Sequence, residues 1–134
     1  MIPDDRWADL AATVPGRFAG VFYDSAHTPI LMLTEPADST AAKQALAGKI
    51  GFPLQEAAVR RARWDFAQLV DWFNYLLPRL GVPVTADKDE ALNRIRFSVT
   101  SVERRDRVVR ALAQLPLPCD LVVVDLNGVT VYPR

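Results

Sequence analysis

The sequence contains a single cysteine, Cys119, and a single histidine, His27, in 134 residues. One cysteine excludes an internal disulfide, and this pair excludes a closed zinc site, which needs four ligands. The six glycines are dispersed and follow no phosphate-binding spacing, so we predict no nucleotide loop and no cofactor. Asp87, Asp89 and Glu90 lack the glycine and the spacing of a calcium loop, and their predicted role is a solvated turn between strands.

Neither sign of charge is in excess, because 16 basic residues balance 16 acidic residues. The chain therefore lacks the net field that gathers phosphates, and we do not expect nucleic acid as a partner. The longest apolar runs, such as 121–124, are far shorter than the roughly 20 residues that cross a bilayer, so no membrane partner is expected. The acidic N-terminus is unlike a secretory signal. We expect a cytoplasmic protein if the chain is complete, and a secreted or periplasmic protein if it is a mature form.

Half of the residues are apolar and 24% are charged, an ordinary balance for a globular protein. A chain of this length fits one domain with one core, so we predict a single domain over residues 1–134. The first half predicts a short helix, a hairpin, a second helix and a strand. The short helix spans Trp7 to Val14, and the hairpin pairs 17–23 with 30–34. The second helix follows a cap at Ser39 or Thr40, and the strand lies around 57–63.

The clearest pattern begins at Asp65, after which apolar residues follow helical spacing as far as Leu80. This predicts a core helix over 65–80, with Pro78 ending or bending it near Leu77. Alternation of apolar and polar residues over 93–99 then predicts a strand with one buried face. Thr100 and Glu103 fit a capping box for the helix that follows.

The apolar run 121–126 predicts a final central strand, and Asn127-Gly128 suits a hairpin turn into 129–132, although these last residues fit a free tail equally well. A shift of 65 residues superposes several positions of the two halves, 17–63 and 82–126. The predicted fold is therefore α+β, with about six or seven strands in small sheets under three core helices and a short N-terminal helix. Two ββαβ halves would be joined by the helix 65–80.

No group of residues predicts an enzyme. Asp24, Ser25 and His27 lie in a turn, where Asp and Ser are selected for hydrogen bonds to the backbone, and nothing marks a nucleophile. Cys119 is expected to be a small buried core residue. The arginines at 60, 61 and 63 and at 104, 105, 107 and 110 are expected on solvated faces. Trp72 and Tyr75 lie off the apolar stripe of the long helix, so they are predicted either to form an interface or to pack against the N-terminal helix or Trp64.

Three segments carry a family resemblance: 18–24 (FAGVFYD), 61–69 (RARWDFAQL), and Asp89 with 93–95 (NRI). They resemble the propeptides of bacterial chymotrypsin-fold serine proteases, of the alpha-lytic protease and streptogrisin type, and related stand-alone secreted proteins. The similarity spans roughly residues 17–126. It implies small sheets under helices, no catalytic residues, and a domain that helps its protease to fold and then inhibits it.

In that family the contact uses an edge strand of the C-terminal sheet and a tail that lies in the protease cleft, a form of β-augmentation. The residues that the resemblance implicates here are Leu121, Val123, Val129, Val131, Tyr132 and Arg134.

Three hypotheses follow. The first is a non-enzymatic protein-binding module that resembles a protease propeptide. The second is a stand-alone or homodimerising domain that associates through Trp72 and Tyr75. The third, which we favour least, is an enzyme or ligand-binding protein that uses Asp24, His27 and Cys119.

Overall fold

The computed structural model describes residues 3–132, with side chains for 5–131. Within that range the chain forms four α-helices and seven strands, which is the predicted α+β class. No helix in the described range is both long enough and apolar enough to cross a membrane. The helices are α1 Pro3–Thr13, α2 Ser39–Leu46, α3 Phe66–Leu76 and α4 Val102–Ala113. The strands are β1 Phe18–Tyr23, β2 Pro29–Leu33, β3 Ala58–Arg61, β4 Thr85–Asp89, β5 Arg94–Val99, β6 Val122–Leu126 and β7 Val129–Tyr132.

The chain divides into two compact units, and the division falls inside α3. The first unit runs up to Val70 and includes Glu90–Asn93; the second takes Asp71–Asp89 and continues from Arg94. The prediction of a single domain stays a prediction.

The first unit is built on a three-stranded sheet in the order β1-β2-β3. β1 and β2 pair antiparallel and β2 and β3 pair parallel, so α2 belongs to the connection between two parallel strands. The apolar core of this unit combines residues of α1, β1, β2 and α2 with Phe66 at the start of α3. Trp7 of α1 packs edge to face on Phe18 and Phe66, with ring centroids 5.3 and 5.2 Å apart.

The second unit is built on a four-stranded sheet in the order β4-β5-β6-β7. β4 and β5 pair antiparallel, β5 and β6 parallel, and β6 and β7 antiparallel. Ile95, Phe97 and Val99 of β5 are buried and alternate with half-buried polar residues, as their pattern predicted. Val108 and Leu112 are the buried residues of α4.

Both sheets therefore contain the same ββαβ order, and β7 is an addition to the second. Ile30 pairs with Ala58 in the first sheet. A shift of 65 residues takes Ile30 to Ile95, which pairs with Val122 in the second. The predicted architecture of two ββαβ halves is confirmed, with the parallel registers differing by one residue.

Helix α3 begins and ends where its sequence predicted. Asp65 accepts a hydrogen bond from the Gln68 N–H at 2.8 Å, and the Gln68 side chain accepts from the Asp65 N–H at 3.0 Å. This reciprocal pair satisfies two N–H groups at the helix start. The α-helix stops at Leu76, and the 3-10 turn Leu77–Arg79 contains Pro78.

Two local predictions of secondary structure are wrong. The N-cap of α4 is Ser101 rather than Thr100, since the Ser101 hydroxyl accepts from the Arg104 N–H at 3.2 Å. Asp87 and Asp89 lie in strand β4 rather than in a turn. The polar composition of this strand is typical of a sheet edge, and composition alone resembles that of a loop.

Candidate functional site

Two of the four edge strands in these sheets carry charge. β3 ends in Arg60 and Arg61, and β4 contains Asp87, Lys88 and Asp89. Charged side chains on an edge strand oppose pairing with another chain, because the added strand would bury them. These two edges are therefore poor sites for strand addition.

The edge strand β1 is buried over its first half. Its first residues, Phe18 and Ala19, are fully buried, and Gly20 is also buried. Gly20 has φ +127°, and a Cβ at this position would lie 2.7 Å from Cγ of Glu90 and 3.8 Å from the ring of Trp7. The glycine thus lets Glu90 approach one face of the strand closely, whereas the second half of β1 is less buried and Tyr23 is 55% exposed.

The remaining edge strand, β7, is uncharged over the residues that the structure describes, 129–132. Val129 is 66% exposed and is the most exposed large hydrophobic residue that the structure describes. Thr130 is exposed as well, and Val131 is half-buried. An exposed, uncharged edge strand is the kind of surface to which an extended segment adds.

The hairpin that precedes β7 sets its register. Asn127 and Gly128 both have positive φ, 52° and 85°, as a two-residue turn of type I′ requires. Leu126 pairs with Val129 directly across this turn, and the register shifts further along the strand. The sequence left open a hairpin strand or a free tail, and the structure places 129–132 in the strand.

Thr130 directs its main-chain groups to the open side of the sheet. The Asn127 N–H donates to the Val99 carbonyl on the β5 side at 3.0 Å. Successive residues of a strand direct their N–H and C=O groups to opposite sides, and every second residue to the same side. Asp125 lies two residues before Asn127, so its N–H and C=O also face β5. Thr130 is the partner of Asp125 in the register, so its N–H and C=O face away from β6.

The residues that the family resemblance implicated fall into two groups. Leu121 and Val123 are 0% and 4% exposed, and β6 has a strand on each side, so neither residue lies at an edge. Val129 and Val131 lie in β7. The backbone of Tyr132 belongs to β7, while its side chain and the whole of Arg134 lie outside the described residues.

The turn around His27 has the structural role that its residue types predicted. One carboxylate oxygen of Asp24 accepts from the N–H groups of Ala26 and Thr28, each at 2.9 Å. His27 is exposed at φ 60° and donates its own N–H to the Asp24 carbonyl. Asp24 therefore organises the turn.

Cys119 is exposed, so the prediction that it is a buried core residue is wrong. It lies next to Asp120, which has a left-handed φ of 64°, just before the buried strand β6. The thiol belongs to the second unit and His27 to the first.

Polar side chains of the second sheet form a hydrogen-bonded ladder across three strands. Asp125 on β6 is 5% exposed and accepts from the Arg96 guanidinium at 2.8 Å and from the Ser98 hydroxyl at 3.1 Å. Arg96 also donates to Asp89 on β4 at 3.1 Å. The hydrogen bond to Asp125 raises the pKa of Arg96 above its ordinary value, against a smaller lowering by burial, so the guanidinium stays charged. This ladder ties β4, β5 and β6 together.

Trp72 and Tyr75 lie on α3 as half-buried residues with their rings edge to face, 5.7 Å between centroids. The Arg79 guanidinium lies 3.9 Å from the centre of the Tyr75 ring. Asp71 and Pro116 complete an open cleft of about 340 Å³ beside the two rings. This aromatic cleft is the second surface on which a partner would find apolar contact.

Over the described part of the chain, no group of three or more His, Cys, Asp or Glu residues is placed to hold a metal ion. Comparison of the chain with protein-family models and with curated proteins finds no match.

Proposed function

We propose that this protein is a non-enzymatic protein-binding module, and that its binding site is the edge strand β7. An extended segment of the partner would pair with β7 and continue the four-stranded sheet. The observation that carries the proposal is the contrast among the four edges. β3 and β4 are charged and β1 is buried over its first half, whereas β7 is uncharged, and its Val129 is 66% exposed against 55% for Tyr23 of β1.

The resemblance to protease propeptides supplies the class of partner. We propose a serine protease of the bacterial chymotrypsin-fold type, which the module would help to fold or would inhibit. Strand addition suits both roles, because the same main-chain hydrogen bonds form to a folding protease and to a folded one.

The strength expected of this contact is limited. A four-residue strand offers on the order of four main-chain hydrogen bonds, each worth about 1 kcal/mol net. Association costs at least about 4 kcal/mol in lost translational and rotational freedom, so backbone pairing alone gives little affinity. Side-chain contacts beside β7 must therefore contribute to any stable complex.

The experiment is a titration of several bacterial chymotrypsin-fold proteases with the purified chain, with residual activity as the readout. The matched variant ends after Gly128 and so lacks β7. Inhibition by the full chain that is lost in the truncated chain would support the proposal. Absence of both inhibition and complex formation with every protease would remove the protease as partner and leave the resemblance as one of fold.

A second function is favoured by the aromatic cleft on α3. Here the chain would be a homodimerising domain in which Trp72 and Tyr75 pack against a second copy, since large aromatic residues are enriched at interfaces. Sedimentation of the wild-type chain and of Trp72→Ala over a range of concentrations tests this alternative. A dimer that Trp72→Ala dissociates would support it, and a monomer at every concentration would count against it.

A further inference from the structure

A cleft of about 420 Å³ lies between β7 and helix α4 in the second unit. Val131 contributes the β7 side of this cleft, and Val109 contributes an apolar wall from α4. Among the described residues, the polar ones that line it are Arg105, Asp106 and Arg110, all on α4. The proposed binding edge therefore has a groove beside it that combines apolar and basic surface.

Helix α4 carries four arginines and two acidic residues, so its net charge is +2. Two of the arginines have ionic partners on the same helix. Arg105 pairs with Asp106 at 3.0 Å, and Arg107 pairs with Glu103 at 3.5 Å. The side chains of the other two, Arg104 and Arg110, have no ionic partner among the described residues.

We propose that the segment that adds to β7 is acidic, with a carboxylate that reaches the Arg110 guanidinium in the cleft. The inference rests on the proposed function, because it names the chemistry of the strand that pairs with β7. Successive side chains of a strand point to opposite faces of a sheet, so every second residue of an added strand faces the same side as Val131. An Asp or Glu at such a position lies beside α4, where a guanidinium binds a carboxylate through two parallel hydrogen bonds.

An acidic peptide fits this groove better than a nucleic acid does. A phosphate backbone needs a dense field of basic residues, and the whole chain has a net charge of zero, whereas a single carboxylate needs only one guanidinium such as Arg110. The side chains of Val109 and Val131 offer apolar contact to the methylene groups of a glutamate side chain whose carboxylate reaches Arg110. A phosphate backbone makes no use of such contact.

The test uses three short peptides of about seven residues, the length of an ordinary strand. In the first, valine alternates with glutamate; in the second, glutamine replaces glutamate; in the third, lysine replaces it. Each carries a fluorophore, and binding to the full chain is followed by fluorescence anisotropy. We expect the glutamate peptide to bind most tightly, and its affinity to fall as the salt concentration rises. We expect the lysine peptide to bind at least about tenfold more weakly than the glutamate peptide.

Two variants of the protein assign the effect to this groove. Arg110→Gln removes the guanidinium. It is expected to lower the affinity for the glutamate peptide about fivefold and to leave the affinity for the glutamine peptide unchanged. Thr130→Pro removes the N–H that faces the open side of β7, so it is expected to lower the affinity for all three peptides. The matched control is Arg61→Gln, which removes an exposed arginine from β3 in the other unit. Circular dichroism checks that each variant is folded.

The outcomes separate the two levels of the argument. Equal binding of the glutamate and glutamine peptides, with loss of both in Thr130→Pro, overturns the acidic preference and upholds strand addition. Binding of the glutamate peptide that depends on Arg110 but not on Thr130 overturns strand addition. Competition by short single-stranded DNA at the same concentration as the glutamate peptide overturns the proposal in favour of a phosphate ligand. If none of the three peptides binds, the proposal that an acidic segment adds to β7 is overturned.

Discussion

Replacing Asn93 tests how a single buried side chain holds the first unit together. Asn93 is 6% exposed, and its Oδ1 accepts from the N–H groups of Arg63 and Trp64, each at 2.8 Å. Its Nδ2 donates to the Trp64 carbonyl, also at 2.8 Å. The residue has a left-handed φ of 57°, which asparagine tolerates better than most residues. One side chain thus satisfies three main-chain groups of the segment that leads into α3.

The magnitude follows from these contacts. Asn93→Ala removes three hydrogen bonds at about 1 kcal/mol each, and alanine in the left-handed region adds about 1 kcal/mol, so we expect a loss of about 4 kcal/mol. Asn93→Gly removes the same bonds without the backbone cost, so about 3 kcal/mol is expected. Asn127→Ala is the matched control, because Asn127 also has a left-handed φ, 52°, but is exposed. Its expected cost is about 1 kcal/mol.

The assay is urea unfolding followed by tryptophan fluorescence, with the free energy of unfolding compared among the wild type and the three variants. Trp64 lies directly at the altered site and reports on it. If Asn93→Ala costs no more than Asn127→Ala, the three hydrogen bonds contribute nothing and the reasoning is refuted.

Two further substitutions have controls of their own. Gly20→Ala should destabilise the protein by about 2–3 kcal/mol, because its Cβ would lie 2.7 Å from Glu90 Cγ at a φ of +127°, whereas Gly48→Ala, at φ +75° in open space, should cost only about 1 kcal/mol. Thermal unfolding of the two variants measures the difference, and equal shifts would contradict the close approach. Ser101→Ala should cost about 1 kcal/mol through loss of the α4 N-cap, and Thr100→Ala less than about 0.5 kcal/mol. If chemical denaturation shows a larger loss of unfolding free energy for Thr100→Ala than for Ser101→Ala, Thr100 is the N-cap of α4.

Local patterns predicted those parts of the fold that local physics determines. The start of α3 follows from Asp65 and Gln68, which cap the helix between residues three apart in the chain. The end of α3 follows from Pro78, which lacks an N–H to continue the hydrogen bonding. The buried face of β5 follows from alternation alone.

Other features depend on information that a short window does not contain. Thr100 and Ser101 are adjacent hydroxyl residues, and either fits the start of α4. β4 is polar because it is an edge strand, so its residues resemble a turn until its pairing with β5 is known. Cys119 precedes the buried strand β6, and only the tertiary structure shows that it is exposed.

The candidate site was predicted in part, for the same reason. The Asn127-Gly128 pair suited a hairpin but left a free tail equally open, and Val129 and Val131 were implicated by the family resemblance. Leu121 and Val123 were implicated with them, yet β6 lies between β5 and β7. The parallel pairing of β5 with β6 joins segments far apart in the chain, so the position of the open edge could not be read from local sequence.

The central claim, that β7 is the binding edge, is tested most directly by a pair of proline variants on the two edges of the same sheet. Thr130 directs its N–H away from β6. Ile95 on β5 donates its N–H to the Leu121 carbonyl, so the main-chain groups of Ile95 face β6. Its partner on β4 is Lys88, which therefore directs its N–H and C=O away from β5. Ala86 lies two residues before Lys88 and faces the same way, because alternate residues of a strand face the same side. Proline at either position should leave the sheet itself paired.

The measurement is residual activity of the bacterial chymotrypsin-fold proteases titrated with the wild-type chain, with Thr130→Pro and with Ala86→Pro. Our account predicts that the wild type and Ala86→Pro inhibit alike and that Thr130→Pro loses inhibition. Full inhibition by Thr130→Pro, or its loss in Ala86→Pro alone, would contradict the account.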